Sequence, residues 1–197
     1  HVPDVNDFIA GVSILLKPDG ILTLEFPHLA QMIKNNQFDT IYDEHFCYFS
    51  FQVAQKILAR HGLRVFDVEE LPTHGGSLRI FACQSTHKSL QTKESVTDLL
   101  EKERSQGLLN ILGYVNFQNR AEAIRDAFQK IIQVEKDQGN KIAAYGAAAK
   151  GNIFLNYCGI GKQSIEFVVD DTPAKQGLFL PASHIPIVEE QKLKDKK

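Results

Sequence analysis

Val5, Phe8, Ile9, Val12, Leu15 and Leu16 recur at the spacing of one helical face, and Asp4 stands where a capping side chain would. Pro18-Asp19-Gly20 stops that helix, and Ile21-Leu22-Thr23-Leu24-Glu25-Phe26 then reads as a strand ending at Pro27. Helix, turn and strand in this order predict an α/β layer with a crossover connection. Residues 28–36 fit a short helix. Ser50 suits an N-cap, and Val53, Ala54, Ile57 and Leu58 mark the helix it starts, which ends at Gly62. Two strands are expected next, over 63–69 and 77–84, with the Leu71–Gly76 loop between them.

From Thr86 to Gly139 the chain is polar and helical. Val96, Leu99 and Leu100 mark one helix; Phe117, Ala121, Ile124, Phe128, Ile131 and Ile132 mark a longer one. Beyond Asn140 the pattern predicts a strand over 141–145, a small-residue turn over 146–151 and a helix carrying Ile153, Phe154, Tyr157 and Cys158. A second strand over 165–169 closes at Asp170-Asp171-Thr172-Pro173. This is one βαβ unit, the opening of a Rossmann-like domain. The chain thus divides into 1–85, a helical connector over 86–139, and 140–197.

Composition narrows the partners. A net charge of -2 gives no electrostatic reason to expect nucleic acid or an anionic membrane. No apolar run approaches the ~20 residues that span a bilayer. Three widely separated cysteines, Cys47, Cys83 and Cys158, point to reduced thiols in a cytoplasmic setting and offer no metal site. The N-terminus carries no basic or apolar leader, Met32 is the only methionine, and the chain ends on the charged run EEQKLKDKK, so both ends are expected to be cuts within a longer protein, with a processed but complete protein as the alternative.

Three stretches carry candidate chemistry. Tyr42-Asp43-Glu44-His45 places an imidazole beside a carboxylate and a phenol, a combination suited to a general base if the loop lets Tyr42, Glu44 and His45 converge. A solvated loop with a satisfied histidine fits the same residues, and composition alone favours it. Tyr145 to Asn152 lies between strand and helix; its small residues let a ligand approach, Gly146 and the helix start suit a phosphate, and Lys150 adds a charge. Asp170 stands roughly where a dinucleotide fold places its ribose-binding acid, although the full GxGxxG pattern is absent. Tight strand–helix packing without a ligand is the alternative. His74-Gly75-Gly76-Ser77 with Arg79 offers hydrogen bonds to a polar ligand, or is a plain hairpin loop.

Taken together, these segments resemble the S-adenosylmethionine-dependent C-methyltransferases of nucleotide-linked sugars. HVPDVNDFIAGVSILLKPDGILTLEFPHL is similar to the later half of a class I methyltransferase core, with Lys17-Pro18-Asp19-Gly20 before a strand. IYDEHFCYFS resembles the family's hallmark of a Tyr, a Glu-His pair and a Tyr-Phe-Ser, and YGAAAKGNIFLNYCGI with VVDDTPAKQGLFLPASHIPI resembles its C-terminal Rossmann-like domain. Asp43 departs from the histidine often found there, which touches substrate identity more than reaction.

The resemblance implies an α/β fold: the second half of the methyltransferase core with its catalytic loop, the helical connector, then a partial Rossmann-like domain. It implies methylation of a carbon beside a keto group on a nucleotide-linked deoxysugar, through an enolate. His45 would be the base, with Glu44 and Tyr42 positioning it or the sugar. Gly146, Lys150, Asp170, His74, Ser77 and Arg79 are the substrate-binding candidates. S-adenosylmethionine is the implied methyl donor, held mainly on a glycine-rich loop expected before His1. Zinc is expected only in a small domain further upstream. On this reading the fragment alone is inactive. A sheet left incomplete has exposed edges, which points to cover by a further segment or by another copy. The competing reading is a nucleotide- or NAD-binding module without transferase chemistry; a structural interaction protein built on the connector helices is a third.

Overall fold

The computed structural model describes residues 1–194. The chain forms two compact units, one from His1–Gln37 with Asp43–Phe117, the other from Phe38–Tyr42 with Gln118 onward. Both mix helix and strand.

In the first unit, α1 (Val5–Leu15) begins under Asp4, whose carboxylate accepts from the amides of Asn6 at 2.9 Å and Asp7 at 3.0 Å. Ile9 is buried and Val5 and Leu16 pack against the core, but Leu15 is 85% exposed, against expectation. At 3.6 residues per turn, Leu15 lies about 120° round the helix from Ile9, outside the apolar stripe. Next come β1 (Ile21–Pro27), the short α2 (Leu29–Lys34) and α3 (Phe51–Arg60). Ser50 caps α3 through its Oγ, which accepts from Val53 N at 3.3 Å. The hairpin β2 (Leu63–Leu71) and β3 (Ser77–Gln84) and then α4 (Glu94–Ser105) complete the unit.

The sheet order is β1-β3-β2, with β3 antiparallel to both neighbours. β1 and β2 therefore run parallel, joined by the expected crossover, which contains α2 and α3. β2 runs two residues past the expected Glu69 because Leu71 pairs with Ser77 at the hairpin end. Phe51, Leu58, Leu63, Leu78, Ile80, Val96 and Leu99 form the core.

The second unit contains most of α5 (Val115–Asp137), whose Ile132 and Phe128 pack into its core, and then β4 (Ala144–Tyr145), α6 (Ala149–Tyr157), β5 (Val168–Val169) and β6 (Ile187–Val188). The three strands form a parallel sheet in the order β4-β5-β6. Regular strand is shorter than the 141–145 and 165–169 expected. Flanking hydrogen bonds continue the pairing, Glu166 N to Ile142 O at 2.9 Å and Gly146 N to Val169 O at 2.7 Å. The expected turn over 146–151 ends early, and Lys150 and Gly151 lie inside α6. β6 was not legible in advance, since Pro186 and the polar residues around it disguise a two-residue strand. Among the described residues, no helix is long and apolar enough to cross a membrane.

Candidate active site

His45 lies on an irregular segment between residues 41 and 50 and is half-buried; Glu44, Phe46 and Cys47 beside it are exposed. Its ring packs edge-on against His1, centroids 5.0 Å apart, and against Tyr48 at 6.1 Å. The two ring contacts flank the half-buried imidazole and limit its rotation. Glu44 and His45 belong to the first unit and Tyr42 to the second.

The segment is tied down at its far end. His28 and Phe49 form an isolated parallel bridge, with Leu29 N donating to Phe49 O at 3.0 Å. Immediately below, the buried Glu103 accepts from Phe51 N at 2.5 Å, Gln52 N at 2.9 Å and His28 Nε2 at 2.8 Å. The imidazole must carry its proton on Nε2 to donate to this carboxylate, and its Nδ1 is buried without a partner. Burial alone would push the Glu103 carboxyl up, but the bonds from His28 and the two amides outweigh it and hold the group below its ordinary value.

The hairpin tip carries the second set of candidates. His74 is exposed on a 3₁₀ turn, Thr73–Gly75, with φ 53°. Gly75, Gly76 and Ser77 line a cleft of about 380 Å³ together with Gln31, Glu70, Leu71 and Pro72. Gly76 has φ 123°, and a Cβ there would sit 2.6 Å from Gln31 Cγ, so both conformation and space require glycine. Ser77 is buried and its Oγ donates to Thr73 O at 3.0 Å. Arg79 stands in register between Glu25 and Glu69, donating to Glu25 Oε2 at 2.9 Å and pairing with Glu69 at 3.6 Å. Ser77 and Arg79 thus have partners within the sheet and hairpin that carry them.

In the second unit, Gly146 leaves β4 with φ 91° and open space where a Cβ would stand. α6 starts at Ala149 with no side-chain cap, and Lys150 is its second residue. Asp170, at the end of β5, holds this turn: one oxygen accepts from Ala147 N at 2.7 Å and from Lys175 Nζ at 3.2 Å, the other from Thr172 N at 2.9 Å. Lys175 Nζ also donates to Ala147 O at 2.9 Å. Thr172 lowers the Asp170 carboxyl most, with Ala147 N and Lys175 adding, so it stays far below the usual carboxylate range. Asp171 beside it is exposed and accepts from Tyr145 OH at 2.7 Å, which raises the phenol. Gly146 and Lys150 thus flank the β4–α6 turn, and Asp170 reaches that turn from β5 through Ala147 N.

Sequence reasoning missed His1, His28, Glu103, Tyr145, Asp171 and Lys175. Only Glu103 left a usable signal: it follows Val96 and Leu99 on the buried stripe of α4, where a charge is out of place unless it is paired.

The family model described as C-methyltransferase C-terminal domain matches residues 72–197. The chain is 42% identical over 187 residues to "C-methyltransferase NovU" of Streptomyces niveus, a match that covers 95% of this chain and 44% of that relative. The chain thus spans less than half the length of the curated relative it matches.

Proposed function

The chain belongs to the C-methyltransferase family, and from that premise we propose that it is part of an S-adenosylmethionine-dependent enzyme that methylates a carbon of a nucleotide-linked keto-deoxysugar. The observation that carries this reading is His45, a half-buried imidazole in near-perpendicular contact with the rings of His1 and Tyr48 on the family-like YDEH segment.

His45 takes the proton from the carbon beside the ketone. The C–H electron pair becomes an enolate, with negative charge on the former carbonyl oxygen, and the enolate carbon forms the new bond to the methyl group. S-adenosylmethionine, when bound, would supply that methyl as an electrophile, its methyl–sulfur bond breaking as the carbon–carbon bond forms so that S-adenosylhomocysteine leaves. Among the described residues of the first unit, no glycine-rich turn leads from a strand into a helix, so no residue here is assigned to the donor. Glu44 orients the base or the sugar, and a hydroxyl donor near the enolate oxygen lowers the barrier by meeting its charge. In the second unit the Gly146 turn, Lys150 and the start of α6 offer amides and a cation to a phosphate group, with Asp170 fixing the shape of the turn. Gly75, Gly76 and Ser77 border the hairpin cleft, where polar groups of the substrate would enter; His74 is exposed on the same hairpin turn, and Arg79 supports the strand that follows.

Replacing His45 by Ala or Gln in the full-length protein should abolish methyl transfer to a TDP-linked keto-deoxysugar and leave binding of that sugar nearly intact. Turnover at the wild-type rate would remove the assignment. A second reading, a nucleotide-binding module without transferase chemistry, rests on the uncapped α6 and the open space over Gly146. It predicts that TDP binds in a calorimetric titration while the full-length protein transfers no methyl group.

A further inference from the structure

Building on the reading of His45 as base, we propose that Glu103 is a positioning residue for the reaction, clamping the exit of the His45 segment to the strand and helices behind it. The clamp joins three distant stretches: His28 where the chain leaves β1, Phe51 and Gln52 where the His45 segment becomes α3, and Glu103 itself in the last turn of α4. The partners are 75 and 52 residues from Glu103 in sequence.

A helix start leaves its first amides without intrahelical acceptors. In α3 the third of these, Val53 N, is met locally by Ser50 Oγ at 3.3 Å. The first two are met only by the buried carboxylate of Glu103, brought in from another element. That choice matters for the six residues His45–Ser50, whose path is otherwise irregular. Their far end is fixed by Phe49 bridging His28 and by the amides that follow on Glu103. Removing the carboxylate leaves the buried Phe51 amide, the partly buried Gln52 amide and both nitrogens of His28 without acceptor or partner, because Nδ1 already has none. The titratable groups facing Glu103 are His28 and, from the segment after α4, Tyr114, whose hydroxyl donates to Leu108 O at 3.0 Å. A base must lie within about 3 Å of the proton it removes, and a misplacement of about 1 Å costs roughly a hundredfold in rate.

The test uses hydrogen exchange at single-amide resolution on the full-length protein. In the wild type, Phe51 and Gln52 should exchange as slowly as Leu58 in the middle of α3; fast exchange there overturns the clamp. In Glu103→Gln, one acceptor oxygen serves three donors. Amides between His45 and Val53 should then exchange at least about tenfold faster, with Leu78–Cys83 in β3 unchanged. No change in the first segment, or equal acceleration in both, overturns it. The catalytic arm measures methyl transfer with S-adenosylmethionine and a TDP-linked keto-deoxysugar. A fall of about tenfold or more in kcat with KM held supports positioning. Unchanged kcat in a variant with faster exchange overturns the catalytic role. If the wild type does not turn over this sugar, it is the reaction reading that fails, and the exchange arm still decides the clamp. Should Glu103→Gln fail to fold, the wild-type exchange of Phe51 and Gln52 remains decisive.

Discussion

Asp67, Glu103 and Asp170 all sit below the ordinary carboxylate value, through different balances of burial and hydrogen bonding. For Asp67, burial pushes up, but Lys93, Ser95 Oγ at 2.7 Å and Val68 N at 2.9 Å together win. A carboxyl depressed in the folded state binds fewer protons than in the unfolded chain at acid pH. Its stabilisation is then complete above the unfolded value, about 4, and is lost as pH falls. Denaturant midpoints should be flat from pH 7 to about 5 and fall below that, and Asp67→Asn should remove part of the acid slope. A slope unchanged in that variant would count against its contribution. At this scale the sequence was legible where a side chain acts on its immediate neighbours: Asp4 and Ser50 announce themselves as caps by residue type and local order. Glu103 and His28 did not, because their meaning lies in a pairing across 75 residues, which no local pattern encodes.

Elements were legible in proportion to their length. β3 was bounded correctly because its eight residues alternate around Leu78, Ile80 and Ala82, all fully or nearly fully buried. The strands of the second unit have two residues each, too few for a period to show. Two substitutions probe the first unit's elements. Ser50→Ala deletes one cap of α3 and should lower unfolding free energy by about 1 kcal/mol, less than the loss of the Glu103 carboxylate because only one amide is freed. Leu78→Ala opens the centre of the sheet's core and should cost about 2–5 kcal/mol. Both are read from chemical denaturation monitored by circular dichroism. An Ala at Ser50 that costs as much as one at Leu78 would mean that the cap holds more than one turn.

For the whole molecule, the α/β character was legible from the alternation of helix-period and strand-period segments, whereas the grouping of residues was not. α4 gives Val96 and Leu99 to the first core and α5 gives Ile132 to the second, a division set by packing partners far away in sequence. Because the chain corresponds to 44% of its relative, methyl transfer is expected of the longer protein. Residues 1–197 expressed alone should show no transfer from labelled S-adenosylmethionine under conditions where the full-length protein does; transfer by the shorter chain would place the donor's cradle among residues given no such role here.

The order β1-β3-β2 also carries a consequence for biogenesis. Among the described residues, β1 and β2 bond only to β3, so within this sheet neither meets that partner until translation passes Gln84. The late hairpin forms quickly from neighbours in sequence, and the early strand must then be captured across a long loop. Nascent chains arrested before Ser77 would therefore present unpaired backbone to chaperones, and release from them should coincide with emergence of the strand that ends up in the middle.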